Sequence, residues 1–119
     1  MKAIKQAVYS ALAEDATVQG YVGDRIYLSW PPEKPTYPLI TFRQVGGAEE
    51  LADGVSFLVR PRIEVKIWAE SGLEDIAEAV RSAMRGVPGI VKLVSDVDLF
   101  DHNSLKHVKV LDFSILTRL

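Results

Sequence analysis

The chain has 119 residues, 14 basic and 16 acidic for a formal charge of −2, with 48% hydrophobic and 25% charged side chains. These proportions fit one ordinary globular domain, 1–119, with a packed core, and they exclude a disordered chain. The absence of cysteine excludes disulfides, thiolate metal sites and a cysteine nucleophile, and the lack of a basic block removes the electrostatic term behind general nucleic-acid binding.

The N-terminal stretch is lysine- and alanine-rich, but Gln6, Tyr9 and Ser10 interrupt any signal-like apolar core. No run approaches the roughly 18 apolar residues of a membrane helix, so a cytosolic product with no membrane partner is expected. Ile4, Ala7, Val8, Ala11 and Leu12 recur at helical spacing and predict an amphipathic helix over residues 3–14. Asp15 and Thr17 suit the start of a second short turn, closed by Gly20 and Gly23. Arg25–Trp30 is rich in β-branched and aromatic residues and reads as a short strand.

Pro31, Pro32, Pro35 and Pro38 follow. Each fixes φ and removes a backbone donor, so the segment is a stiff, extended connector rather than a central strand. Trp30 and Tyr37 are expected to pack on the proline rings. The next strand starts at Pro38 and runs through Val45, and an acidic loop at 46–54 carries Glu49, Glu50 and Asp53.

Val55, Phe57, Val59, Pro61, Ile63, Val65 and Ile67 then fall on odd positions, against mainly polar even ones. Period two over this length is a strand with one buried face, spanning roughly 43 Å. Pro61 marks an edge or a bulge within it. A hairpin of 39–45 with 55–68 is therefore expected, its outer part projecting beyond the core with an apolar side that a neighbour must cover. The acidic loop is either plainly solvated or ordered by a partner. Trp68 sits on the even, solvent-leaning face, capped by the chain's own elements or by a neighbour.

Ser71 and Glu74 have the spacing of a capping box before a helix over 71–85 with the stripe Leu73, Ile76, Ala77, Val80, Ala83 and Met84. Gly86 is placed for a left-handed C-cap and Pro88 for a stop. In the first closing strand, Val91, Leu93, Val97 and Leu99 alternate with Lys92, Asp96 and Asp98. A turn at 101–104 leads to the second, through Leu111, Phe113 and Ile115. The expected fold is α+β in the order α-β-β-β-α-β-β, a mainly antiparallel sheet with two helices on one face and a projecting hairpin.

Chemistry is sparse. Asp96, Asp98, Asp101, His102 and His107 superficially resemble a metal set, but Asp96 and Asp98 share one strand face while the rest fall on a turn, so a solvated strand face and a self-bonded turn account for them better. No serine lies in a nucleophile elbow, and Gly46-Gly47 lacks the lysine of a phosphate loop. Neither catalytic residues, cofactor nor metal is expected.

Several short pieces coincide, however. An N-terminal helix precedes Gly23-Asp24-Arg25-Ile26-Tyr27, then the proline link, then Pro38-Leu39-Ile40-Thr41-Phe42. Arg62-Ile63-Glu64-Val65-Lys66-Ile67-Trp68 later runs straight into a helix. Over about residues 3–85 this order resembles the tail-completion, or tail-to-head joining, proteins of long-tailed bacteriophages and prophages. The resemblance implies a structural subunit at the head-proximal end of the tail. Its implied partners are itself, in a ring hexameric like the tube, the tail-tube protein and a head-connector or head-completion protein. DNA would pass through the ring without sequence-specific binding. Assembly would take place in the host bacterial cytoplasm, and the finished protein would reside in the virion tail. Glu49, Glu50, Asp53, Phe57, Val59, Pro61 and Trp68 are the interaction residues this reading expects, with the proline link holding two strands in fixed relation. A tail terminator is the alternative within the class. Outside it stands a small monomeric protein- or peptide-binding module using an exposed sheet edge.

Overall fold

A computed structural model describes residues 2–47, 49–52 and 56–118, the side chains of 49–52, 56 and 57 excepted. In chain order the elements are α1 (Lys2–Ala13), α2 (Ala16–Val22), β1 (Ile26–Leu28), β2 (Leu39–Gly46), β3 (Glu49–Ala52), β4 (Ser56–Val59), β5 (Arg62–Ala69), α3 (Leu73–Met84), β6 (Ile90–Asp101) and β7 (Lys106–Arg118). The class is α+β, but the expected order is corrected by a third helix and by further strands. The short turn after Asp15 is a full helix, because the Asp15 carboxylate accepts from the N–H groups of Thr17 and Val18 and satisfies two donors at the helix start.

The main sheet runs β1-β2-β5-β7-β6, and β3 and β4 extend it along the last residues of β7. All pairings are antiparallel except β1 with β2, which is parallel. That exception explains the proline connector. Two parallel neighbours cannot be joined by a tight turn; the chain must travel back before the second strand begins. Residues 29–38 make that return, and the Tyr37–Pro38 peptide within it is cis.

The long alternating run survives as one register with two interruptions. β2 pairs β5 up to Gly46↔Arg62 after a bulge at Val45, and Glu49↔Val59 takes up the same frame in β3 and β4. Likewise Val59↔Thr117 and Arg62↔Ser114 lie in one frame along β7. Pro61, with no N–H to give, breaks the ladder, although its carbonyl accepts from the Ile115 N–H. The expected hairpin is therefore present, but Glu49–Ala52, read as loop, belongs to its strands. Among the described residues its pairing with β7 ends at Leu58↔Arg118, and Ser56 and Phe57 of β4 pair only with β3.

The apolar side of this ribbon is another correction. Val59, Pro61, Ile63, Val65 and Ile67 are all buried within the single chain. Ile63, Val65 and Ile67 join Val8, Leu12, Val18, Val22, Val80, Met84, Leu111, Phe113 and Ile115 in one core beneath the helices. Each fully buried aliphatic side chain contributes about 1.5–3 kcal/mol. No neighbour is needed to cover 59–67; Val55 and the side chain of Phe57 lie outside the described residues.

The helix boundaries also differ. α3 starts after Gly72, held left-handed at φ 75° with no side-chain cap, so the Ser71–Glu74 box does not form. Glu74 instead reaches Lys109. At the other end Arg85 is right-handed, and the chain winds on through Gly86 N–H to Ala83 and Val87 N–H to Met84. The left-handed residue expected at Gly86 comes at Gly89, φ 117°.

Candidate interaction surfaces

The predicted interaction residues do not form one exposed patch. The backbones of Glu49 and Glu50 lie in β3 opposite Val59 and Leu58, and that of Phe57 lies opposite Leu51. Their side chains, and all of Asp53, lie outside the described residues. Val59 and Pro61 are buried; Val59 forms part of a shallow apolar groove with Ile4, Ala7 and Pro88. Trp68 is capped from within the chain. The register puts it between Leu39 and Val108 on the sheet face away from the core, and its indole N–H donates to Thr41 Oγ1 at 3.0 Å. Leu39, Thr41 and Val108 are buried, so this ring closes a second, smaller apolar cluster.

The open face beyond it is charged. Arg43 pairs with Glu64, which also meets Lys66, and Arg62 pairs with Asp112. Such exposed pairs contribute little each. Tyr37, expected on the prolines, instead faces Lys106, whose ammonium lies 5.0 Å from its ring. Trp30 is 73% exposed.

β6 is the element whose surface the sequence conceals. It is an edge strand, paired only with β7, and a bulge at Val94 shifts its phase. Before the bulge Val91 and Leu93 face the core, opposite Ile115 and Phe113. After it, Asp96 and Asp98 take the core-side positions opposite Leu111 and Lys109, while Val97 and Leu99 turn to the open face. The expectation that Val91, Leu93, Val97 and Leu99 share one face is thus corrected. Leu93-Val94 followed by Ser95-Asp96, two apolar then two polar residues, is the local signal of the shift. As a result Val97 and Leu99 are exposed on that face; Ile90, Val94 and Phe100 are exposed elsewhere along the strand.

The same shift builds an ionic cluster. Lys109 is only 3% exposed, and its ammonium contacts Asp96 at 2.7 Å and Asp98 and Glu74 at 2.8 Å. Burial alone would lower its pKa, but bonds to Asp96, Asp98 and Glu74 outweigh that and hold it above the ordinary lysine value. The cluster ties the start of α3 to the β6–β7 hairpin. The other carboxylates and imidazoles of the suspected metal set are also engaged. Asp101 accepts from the Ser104 hydroxyl and N–H, which holds its carboxyl below the ordinary value. His102 and His107 stand edge-on to Phe100, with centroids at 5.3 and 5.1 Å. Among the described residues no group of three or more His, Cys, Asp or Glu is arranged to hold a metal ion.

At the opposite end of the sheet, β1 presents Leu28, beside Phe42 in the register, and then Trp30. Tyr9 of α1 is also exposed there, its ring centroid 6.4 Å from that of Phe42. The sheet therefore carries exposed apolar side chains at both ends.

These surfaces can be set beside known proteins. No curated protein matches the chain. A chain from a structure described as the virion of a native gene transfer agent particle is similar in fold, with a TM-score of 0.70 at 15% identity, over 98% of this chain and 95% of that one. The family model of the Tail completion protein gp17 matches residues 6–118, nearly the whole described fold. The chain is accordingly a member of the phage tail completion family, a structural protein of phage tail assembly.

Proposed function

We propose that the chain completes the head-proximal end of a phage tail and joins it to the head connector, acting as a ring of identical subunits without catalysis. The observation that carries this reading is a sheet with unlike apolar ends, on a chain of the tail completion family. A closed ring of identical subunits needs two different faces on each copy, because its contacts are head-to-tail. The partners are other copies, hexameric to match the tube, the tail-tube protein and a head-connector protein. The subunit is made in the bacterial cytoplasm and retained in the virion tail.

The test is assembly in a lysate whose phage or prophage lacks this chain. Tails should accumulate unjoined to heads, and purified chain should restore joined particles and sediment with tail tubes at a fixed low ratio, as an end-binder does. Normal joining in its absence, or binding along the whole length of the tube, refutes the proposal.

A further inference from the structure

The groove beside the first turn of α1 is apolar in its floor and cationic at its rim, and we infer that it docks a short acidic and apolar peptide segment of a partner protein. Ile4 and Ala7 of α1, Val59 of β4 and Pro88 form the floor, with Lys2 and Arg118 at the rim. Its volume is about 380 Å³, at the small end of the roughly 300–1,000 Å³ of ligand pockets. That admits a few side chains of an extended segment, not a folded surface. The floor is fixed by packing: Ile4 belongs to the main core, and Val59 is buried and held opposite Thr117 by the β4–β7 pairing. Neither β1 nor β6 contributes to it, and the inference does not rest on the tail-completion reading.

The charge of the groove states the chemistry of its occupant. Every charged residue that lines it is positive. Lys2 and Arg118 are exposed, and among the described residues neither has an ion-pair partner. On the open sheet face, by contrast, Arg43, Arg62 and Lys66 all meet carboxylates of the chain itself. The first turn of α1 also carries no acidic residue, where one is ordinarily favoured. In a chain of net charge −2 this is a local excess of positive charge around an apolar floor. An apolar side chain flanked by carboxylates satisfies both parts. A basic segment would meet like charge, and a segment without charge would leave both cations unanswered.

The probe is a labelled heptapeptide of alternating aspartate and leucine, set against lysine–leucine and aspartate–serine counterparts in fluorescence anisotropy at about 50 mM salt. The first should bind with a Kd on the order of 100 µM, and each counterpart at least ~10-fold more weakly. Its addition should shift the backbone amide resonances of Ile4, Ala7 and Val59. Lys2→Glu combined with Arg118→Glu, at two exposed positions, should leave Tm unchanged and weaken binding about 10-fold. Ala7→Trp, which fills the floor, should abolish it. Equal binding of either counterpart, undiminished binding to the rim variant, resonance shifts confined to other residues, or no binding at about 2 mM peptide overturns the inference. So does binding that appears only in a chain ending at Arg118, which makes the chain's own last residue the occupant.

Discussion

Lys109→Met is the substitution that best probes how this fold is held. The side chain loses three contacts of 2.7–2.8 Å to Glu74, Asp96 and Asp98. Breaking a wholly buried ion pair costs about 3–5 kcal/mol because a charge is stranded. Here only the cation is buried: Glu74, Asp98 and Asp96 are 78%, 67% and 37% exposed. The carboxylates can return to water, each pair then counts nearly as an exposed one, and methionine fills most of the lost volume. The expected loss is about 1–2 kcal/mol, or roughly 3–8 °C in Tm for a domain of this size. Urea and thermal unfolding followed by circular dichroism measure it. The pH dependence has a definite sign. A lysine whose folded pKa lies above its ordinary 10.5 stabilises fully below that value and loses its contribution as pH rises beyond it. The gap between the natural chain and Lys109→Met should stay flat from about pH 7 to 9 and close above about 10.5. A variant more stable than the natural chain, or a loss above ~4 kcal/mol, refutes this account of the cluster.

Two further outcomes follow from backbone and packing. Gly89→Ala should cost about 2–4 kcal/mol in urea unfolding, since φ is 117° and a Cβ would stand 2.4 Å from the Leu116 carbonyl oxygen; a change within 0.5 kcal/mol, on the order of a neutral surface substitution, contradicts the geometry. Trp68→Phe should cost about 1–2 kcal/mol by removing the donor to buried Thr41. In a double-mutant cycle with Thr41→Val the two losses should not add, and strict additivity would deny the bond.

Much of the fold was legible because it is written in local periodicity. The helical spacing of Ile4–Leu12 and Leu73–Met84, and the alternation from Val59 to Ile67, each mark one buried face. What escaped depends on partners distant in sequence. Nothing near Ile26 announces that β1 pairs parallel to β2, and α2, with Gly20 and two valines in one short helix, is held by its Asp15 cap more than by propensity. Exposed apolar residues also stand where the alternation does not announce them. Pro61 drew attention to the ribbon, which the helices cover, whereas one extra residue at Val94 moves Val97 and Leu99 outward on β6. A bulge changes which face every later residue occupies, and it leaves only two adjacent apolar letters as its trace.

β7 meets β5 and the end of β4 along one side and β6 along the other, so every strand except β1, β2 and β3 relies on it directly. It also follows all of them in the chain. Until residues 106–118 have emerged from the ribosome, β6 has nothing to lie against, Asp96 and Asp98 lack their cation, and the sheet stops at β5. A chain that stops short of residue 106 consequently lacks the β6 edge and the Lys109 cluster together, however well its first half has folded. The thirteen residues of β7 therefore decide whether the far half of the sheet exists at all.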